Sequence, residues 1–190
     1  MTLVDPARFA TLLHPCGRAT DTPAHLSALA GGDAGARDEA VRHLFGRVIH
    51  QGTPLTATAP AALVVAGLLA GERLSGPANA ELRVDLLDFL AAVATAGWSY
   101  SDESLADMAP PPGFDVDAAL AEALESDDYE EEVYTDTPLG RALFRRGLLG
   151  CREAVPALLA AAEQALSDPQ PAVRAAAAHA AAACRARTTT

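Results

Sequence analysis

One pattern recurs along this chain and restricts its folding more than any other. The tetrad Pro-Ala-x-Leu occurs as Pro23 to Leu26, Pro60 to Leu63 and Pro156 to Leu159. Each copy is followed by an aliphatic-Arg pair, Val41-Arg42, Leu82-Arg83 and Val173-Arg174, at Pro-to-Arg separations of 19, 23 and 18 residues. A proline suits the first turn of a helix, and an aliphatic residue next to an arginine suits the buried edge of a second one. Similar separations therefore point to one reused helix pair. The aliphatic positions lie 41 and 91 residues apart, and the longer interval leaves room for one divergent unit. About four pairs with a period of roughly 40 to 47 residues are expected.

The punctuation agrees with this reading. Thr22 with Pro23 reads as a helix start, and Gly31-Gly32 followed by Asp33 reads as one stop and the next cap. Val41, Leu44, Phe45, Val48 and Ile49 form an apolar stripe at helical spacing, as do Leu82, Leu86, Phe89, Leu90 and Val93. Gly71 and Gly76-Pro77 separate the second pair. Half of the 190 residues are hydrophobic but only 5% are aromatic, so the core must be built from small side chains that bring helices close. Ile49 is the only isoleucine, and strand formers are few.

The pattern fails between about residues 98 and 136. Trp98 to Gly113 ends in Pro110-Pro-Pro-Gly113 and reads as an exposed loop. A short helix from Asp115 to Leu124, capped by Asp115 or Asp117, precedes an acidic run from Ser126 to Asp136. Thr137-Pro138 then opens a helix through Leu149, and the last unit spans 152 to 184.

Taken together, these positions resemble the HEAT-repeat family. The likeness is closest at 152 to 184, through Ala154-Val155-Pro156 and Leu159, the turn residues Asp168 and Pro169, then Val173-Arg174 and Ala177. His50-Gln51-Gly52-Thr53 with Ala57 to Ala61 also looks like a segment of bacterial HEAT-like proteins. The resemblance implies a single armadillo-like α-solenoid over residues 1–190, a right-handed superhelical stack of about four HEAT-like helix pairs, with an insertion at about 98–136. It also implies that turn aspartates and second-helix arginines, here Asp33, Asp168, Arg42, Arg83 and Arg174, join neighbouring repeats. Such stacks often hold proteins on a concave face.

Charge narrows the partner. There are 25 acidic residues against 14 basic ones, all arginine, for a formal charge of −11. Such a chain repels phosphates and anionic bilayers, so nucleic acid and membrane are not the expected partners and a basic protein is. The start of the chain lacks the basic and apolar segments of a signal peptide, and the longest apolar run, Ala59 to Ala70, falls short of a membrane span. A cytoplasmic location is expected. Cys16, Cys151 and Cys184 show no metal or redox spacing and read as reduced, buried thiols.

Three groups carry candidate chemistry. Trp98, Tyr100, Tyr129, Glu130, Glu131, Glu132 and Tyr134 place aromatic contact area among dense carboxylates, a combination suited to a basic protein surface. Glu39, His43, Arg47 and His50 recur at helical spacing opposite the apolar stripe and are expected to line the inner face. His43 and His50 stand about 10 Å apart along such a helix, so a metal would need groups from a second element. A series of arginines, Arg42, Arg83, Arg141, Arg145, Arg146 and Arg174, suggests either inter-repeat struts or an anion-binding stripe. No P-loop, GxSxG, HExxH or Cys/His nucleophile pattern occurs. The expected function is a non-enzymatic protein-binding scaffold, of inhibitor or immunity type for a basic partner, with no cofactor, no catalytic residue and no metal. The alternative is a HEAT-like enzyme or small-ligand protein using the Arg/His face, with a nucleic-acid glycosylase further off.

Overall fold

A computed structural model describes residues 4–186. The fold is all-α, as the spacing predicts, apart from one small hairpin. A 3-10 turn at Pro6–Phe9 leads into two short antiparallel strands, β1 (Leu13–His14) and β2 (Gly17–Arg18), with Leu13 opposite Arg18 and His14 opposite Gly17. The helices follow: α1 (Thr22–Leu29), α2 (Ala34–His43), α3 (Thr58–Ala70), α4 (Ala80–Gly97), α5 (Asp102–Asp107), α6 (Val116–Ala123), α7 (Tyr129–Val133), α8 (Pro138–Ala165) and α9 (Pro171–Arg185).

Local signals explain most boundaries. Asp33 caps α2 by accepting the Ala36 N–H at 2.7 Å, Asp115 caps α6, and Thr137 caps α8 by accepting the Gly140 N–H. Thr22 is the first residue of α1 and not its cap; Asp21 holds the cap position without using its side chain there.

Small side chains make the core. α3 is the central apolar helix and packs on α8, while α4 packs on both α8 and α9. One cluster joins Leu26, Leu29, Val65, Leu86, Phe89 and Leu90 to Cys151, Val155 and Leu158 of α8. A second is nearly all alanine between α4 and α9, with Val173, Ala176, Ala177, Ala180 and Ala181 facing Leu87 and Ala91. Gly147 marks the closest approach beside α3: a Cβ there would lie 2.8 Å from the Leu55 Cα, so only glycine fits unshifted. A third cluster fastens the insertion to the hairpin through Leu13, Leu55, Leu120, Val133, Leu139 and Leu143.

Several expectations are corrected. The helix from Pro138 does not stop at Leu149; α8 runs unbroken to Ala165 with Pro156 inside it, so the expected break before the last unit is absent. Pro156 lacks an N–H, but its ring lies at the exposed surface, and apolar contacts of Val155 and Leu158 hold the turn. Trp98 to Gly113 contains α5, capped by the Ser101 hydroxyl, and the acidic run contains α7. Phe45 is 37% exposed, with its ring edge-on to Phe89 at 5.9 Å, because the backbone widens into a π-helical turn at Leu44–Val48 and rotates the stripe. Cys16 is exposed, whereas Cys151 and Cys184 are buried free thiols whose pKa values burial pushes up to about 12 and about 11.

The arginines divide by role. Arg83 is buried, donating to the Leu74 and Gly76 carbonyls at 2.6 and 2.7 Å and pairing with Asp168 at 3.0 Å. It joins the turn before α4 to the turn before α9. Arg174 donates to the Asp168 and Pro169 carbonyls. Arg141 pairs with Asp136, Arg146 with Asp117, and Arg145 donates to the Leu105 carbonyl. Each of these five is engaged with a partner of its own.

Candidate functional site

The hairpin sets up the most concentrated chemistry in the molecule. β1 is held on both edges: β2 pairs along one, and on the other the Leu13 N–H donates to the Thr56 hydroxyl and the Leu13 carbonyl accepts the Ala57 N–H, each at 2.9 Å. Gly17, at φ +129°, lets the chain reverse after Cys16. With the strand fixed, His14 points inward and is 1% exposed.

Two further elements meet it. Asp21, at the start of α1, faces His14 Nε2 at 3.3 Å through one oxygen and His43 Nδ1 at 3.9 Å through the other. His43 ends α2 at the point where the helix widens, and it is 5% exposed. Its Nε2 is hydrogen-bonded to the Thr22 hydroxyl at 2.9 Å, while His25, one turn into α1, stacks on its ring at 4.1 Å and 19°. Two imidazoles and a carboxylate thus offer ligand atoms all within 4.8 Å of one another, the only such cluster among the described residues.

Burial decides the protonation states. Desolvation holds His43 down at about 4, with the charge of His25 acting the same way and Asp21 opposing. His14 is also lowered, first by burial, against the attraction of Asp21. Burial works against the Asp21 carboxylate too, but His43 and His14 more than offset it and keep the group below the usual range. Because the Cys16 N–H donates to His14 Nδ1 at 3.2 Å, the neutral ring carries its hydrogen on Nε2, facing Asp21. The site sets two buried, neutral imidazoles around an ionised, partly exposed carboxylate.

The residues expected from sequence separate. Glu39, Arg47 and His50 are exposed, but His43 turns into the interior, so the four do not form one surface. The π-helical turn and the break at Ile49 end the regular spacing on which that face depended. His50 bonds its own helix end, the Gly46 carbonyl, at 3.0 Å.

The second expected group also divides. Glu130, Glu131 and Glu132 are exposed on α7, as expected for a contact surface. The aromatic residues instead act as anchors. Tyr134 donates its hydroxyl to the His14 carbonyl at 2.9 Å, and its pKa is raised, chiefly by burial. The Arg18 guanidinium lies 5.3 Å over the Tyr129 ring and bonds the Leu124 carbonyl. Trp98 is half-buried beneath Arg152, 4.3 Å from its ring, rather than an exposed hot spot. Tyr100 remains 39% exposed and meets Phe144 edge-on at 5.5 Å. It lines a cleft of about 540 Å³ beside α7, with Met108, Tyr134, Asp136 and Phe144.

Asp21, Thr22 and His25 share the first turn of α1, but nothing periodic in the sequence joins them to His14 on the hairpin or to His43 at the end of α2, so the cluster escapes a sequence reading. Their proximity is set by the hairpin packing on the ends of α1 and α2. Protein-family models, curated proteins and solved structures were all compared with this chain, and none matches.

Proposed function

We propose that the protein is a non-enzymatic scaffold of HEAT-like type that captures a basic protein partner on the face carrying α7. One observation supports this reading most: three consecutive exposed glutamates sit on a helix tied to the body at both ends. Val133 is buried, Tyr134 is bonded to the hairpin, and Tyr129 lies under Arg18. A fastened acidic surface presents its charge without first losing freedom on binding, which favours both fast encounter and affinity. The cleft beside it joins Asp136 to Tyr100, Met108 and Phe144, a combination that suits the apolar stem and charged head of a partner arginine or lysine.

The finer reading is an inhibitor or immunity-type protein that masks a basic partner in the cytoplasm. Among the described residues no helix is long and apolar enough to cross a membrane. Affinity capture from the native host tests the scaffold reading. A stoichiometric basic protein is expected on the wild-type chain, released by salt and lost when Glu130, Glu131 and Glu132 are all changed to Gln. Capture of equal strength and salt dependence by that variant would remove α7 from the function, and a co-purified small molecule in place of a protein would favour a ligand-binding role.

A further inference from the structure

We propose that His14, Asp21 and His43 form a binding site for a divalent transition metal, zinc foremost, with His14 Nε2, His43 Nδ1 and one Asp21 oxygen as ligands. This inference is independent of the scaffold reading, since it uses none of the α7 carboxylates.

Geometry carries it. Bonds of about 2.0 to 2.1 Å in a tetrahedral centre place ligand atoms roughly 3.3 Å apart. His14 Nε2 is already 3.3 Å from Asp21 Oδ1, His43 Nδ1 stands 3.9 Å from Oδ2, and the ligand atoms all lie within 4.8 Å of one another, so closure on one Asp21 oxygen requires side-chain shifts of up to about 1.5 Å. The donors come from three elements, the hairpin, the start of α1 and the end of α2, each fixed independently. No side chain of one flexible loop supplies two of them.

The surroundings match those of a metal ligand set. A ligating imidazole normally engages its other nitrogen in a hydrogen bond, and His43 Nε2 is held by the Thr22 hydroxyl at 2.9 Å. His25 stacked on the opposite face of that ring fixes its plane. Two imidazoles with a single carboxylate favour zinc and its first-row neighbours over calcium or magnesium, which require mostly oxygen. The two histidines are buried, but the Asp21 side chain is 43% exposed, leaving one side open for entry and for a fourth ligand.

One hydrogen bond opposes loading. His14 Nδ1 accepts the Cys16 N–H, so the ring hydrogen sits on Nε2, where the metal would bind. Metal at Nε2 moves that hydrogen to Nδ1, and both the Cys16 contact and the Nε2–H bond to Asp21 are given up. The gain is the replacement of these two contacts by coordination at three atoms.

The test uses the full chain, stripped with chelator, then titrated with Zn²⁺ by calorimetry and with Co²⁺ by visible absorption. One Zn²⁺ per chain is expected, together with the intense d–d absorption of a low-coordinate cobalt centre. Asp21→Asn, chosen because the side chain is partly exposed and caps no helix, should weaken Zn²⁺ binding at least tenfold, on the order of the effects seen when metal-site partners are lost. His50→Ala, exposed and outside the cluster, should bind as the wild type does. Circular dichroism shows that each variant is folded. Absence of Zn²⁺ binding by the folded wild type would overturn the proposal, and so would an Asp21→Asn affinity equal to the wild type; either result makes the cluster a structural polar contact alone.

Discussion

α4, α8 and α9 meet over alanine, valine and leucine, and their one buried ion pair joins two turns. The irregular part, built from the hairpin, the ends of α1 and α2, and α5 to α7, holds its pieces together differently. There the contacts are a tyrosine hydroxyl on a strand carbonyl, an arginine over a ring, and imidazoles around a carboxylate. The regular layer needs its polar groups to close the fold, whereas the irregular layer gathers buried titratable side chains and exposed charge in one place. Function is therefore sought on the irregular layer. That difference can be broken experimentally from either side.

The largest effect belongs to the regular layer. Arg83→Met should destabilise the protein by about 3–5 kcal/mol in urea unfolding, because it leaves Asp168 and two turn carbonyls without their buried partner. A loss of under about 1 kcal/mol, the range of exposed pairs, would mean that α4 and α9 are held by alanine packing alone.

A smaller effect distinguishes the irregular layer by its response to pH. The unfolded chain protonates His43 near the ordinary 6.5, whereas the folded chain does so only at about 4, so the unfolded state binds more protons between these values. Stability should therefore be flat above pH 6.5 and fall as pH drops toward 4, by about 2–3 kcal/mol from His43 at most, with His14 acting in the same direction. Asp21, held below the usual carboxylate range, adds its own loss only at still lower pH. Urea unfolding of chelator-treated protein at pH 7.5, 6 and 5 measures the slope, and His43→Gln should flatten it. A wild-type profile that does not change with pH would mean that the histidines are solvated.

Legibility follows the same division. The apolar stripe of α4, the caps at Asp33 and Asp115, and the turn role of Asp168 are local or strictly periodic, so the sequence displays them directly. α8 was less legible, because Pro156 in first-turn context looks like a start and only packing on α3 and α4 shows that the helix continues through it. The histidine cluster was legible only in part. His43 stood out, but its apparent partners Arg47 and His50 depended on an unbroken helical period, which the π-helical turn ends. Its actual neighbours His14 and Asp21 lie on a hairpin and a helix start whose meeting is purely tertiary. The tyrosines suit an interface by type, yet the same amphipathic rings serve as anchors when one face finds the protein's own backbone.

Whether the irregular layer is one fastened unit is tested most directly by hydrogen exchange on the wild type and Tyr134→Phe. The substitution removes only the bond from Tyr134 to the His14 carbonyl, a net contribution of about 1 kcal/mol. Amides of residues 129–136 should then exchange roughly fivefold faster, with those of α4 and α9 unchanged. Unchanged exchange across 129–136 would contradict the account, for α7 would then be held by something other than its attachment to the histidine hairpin.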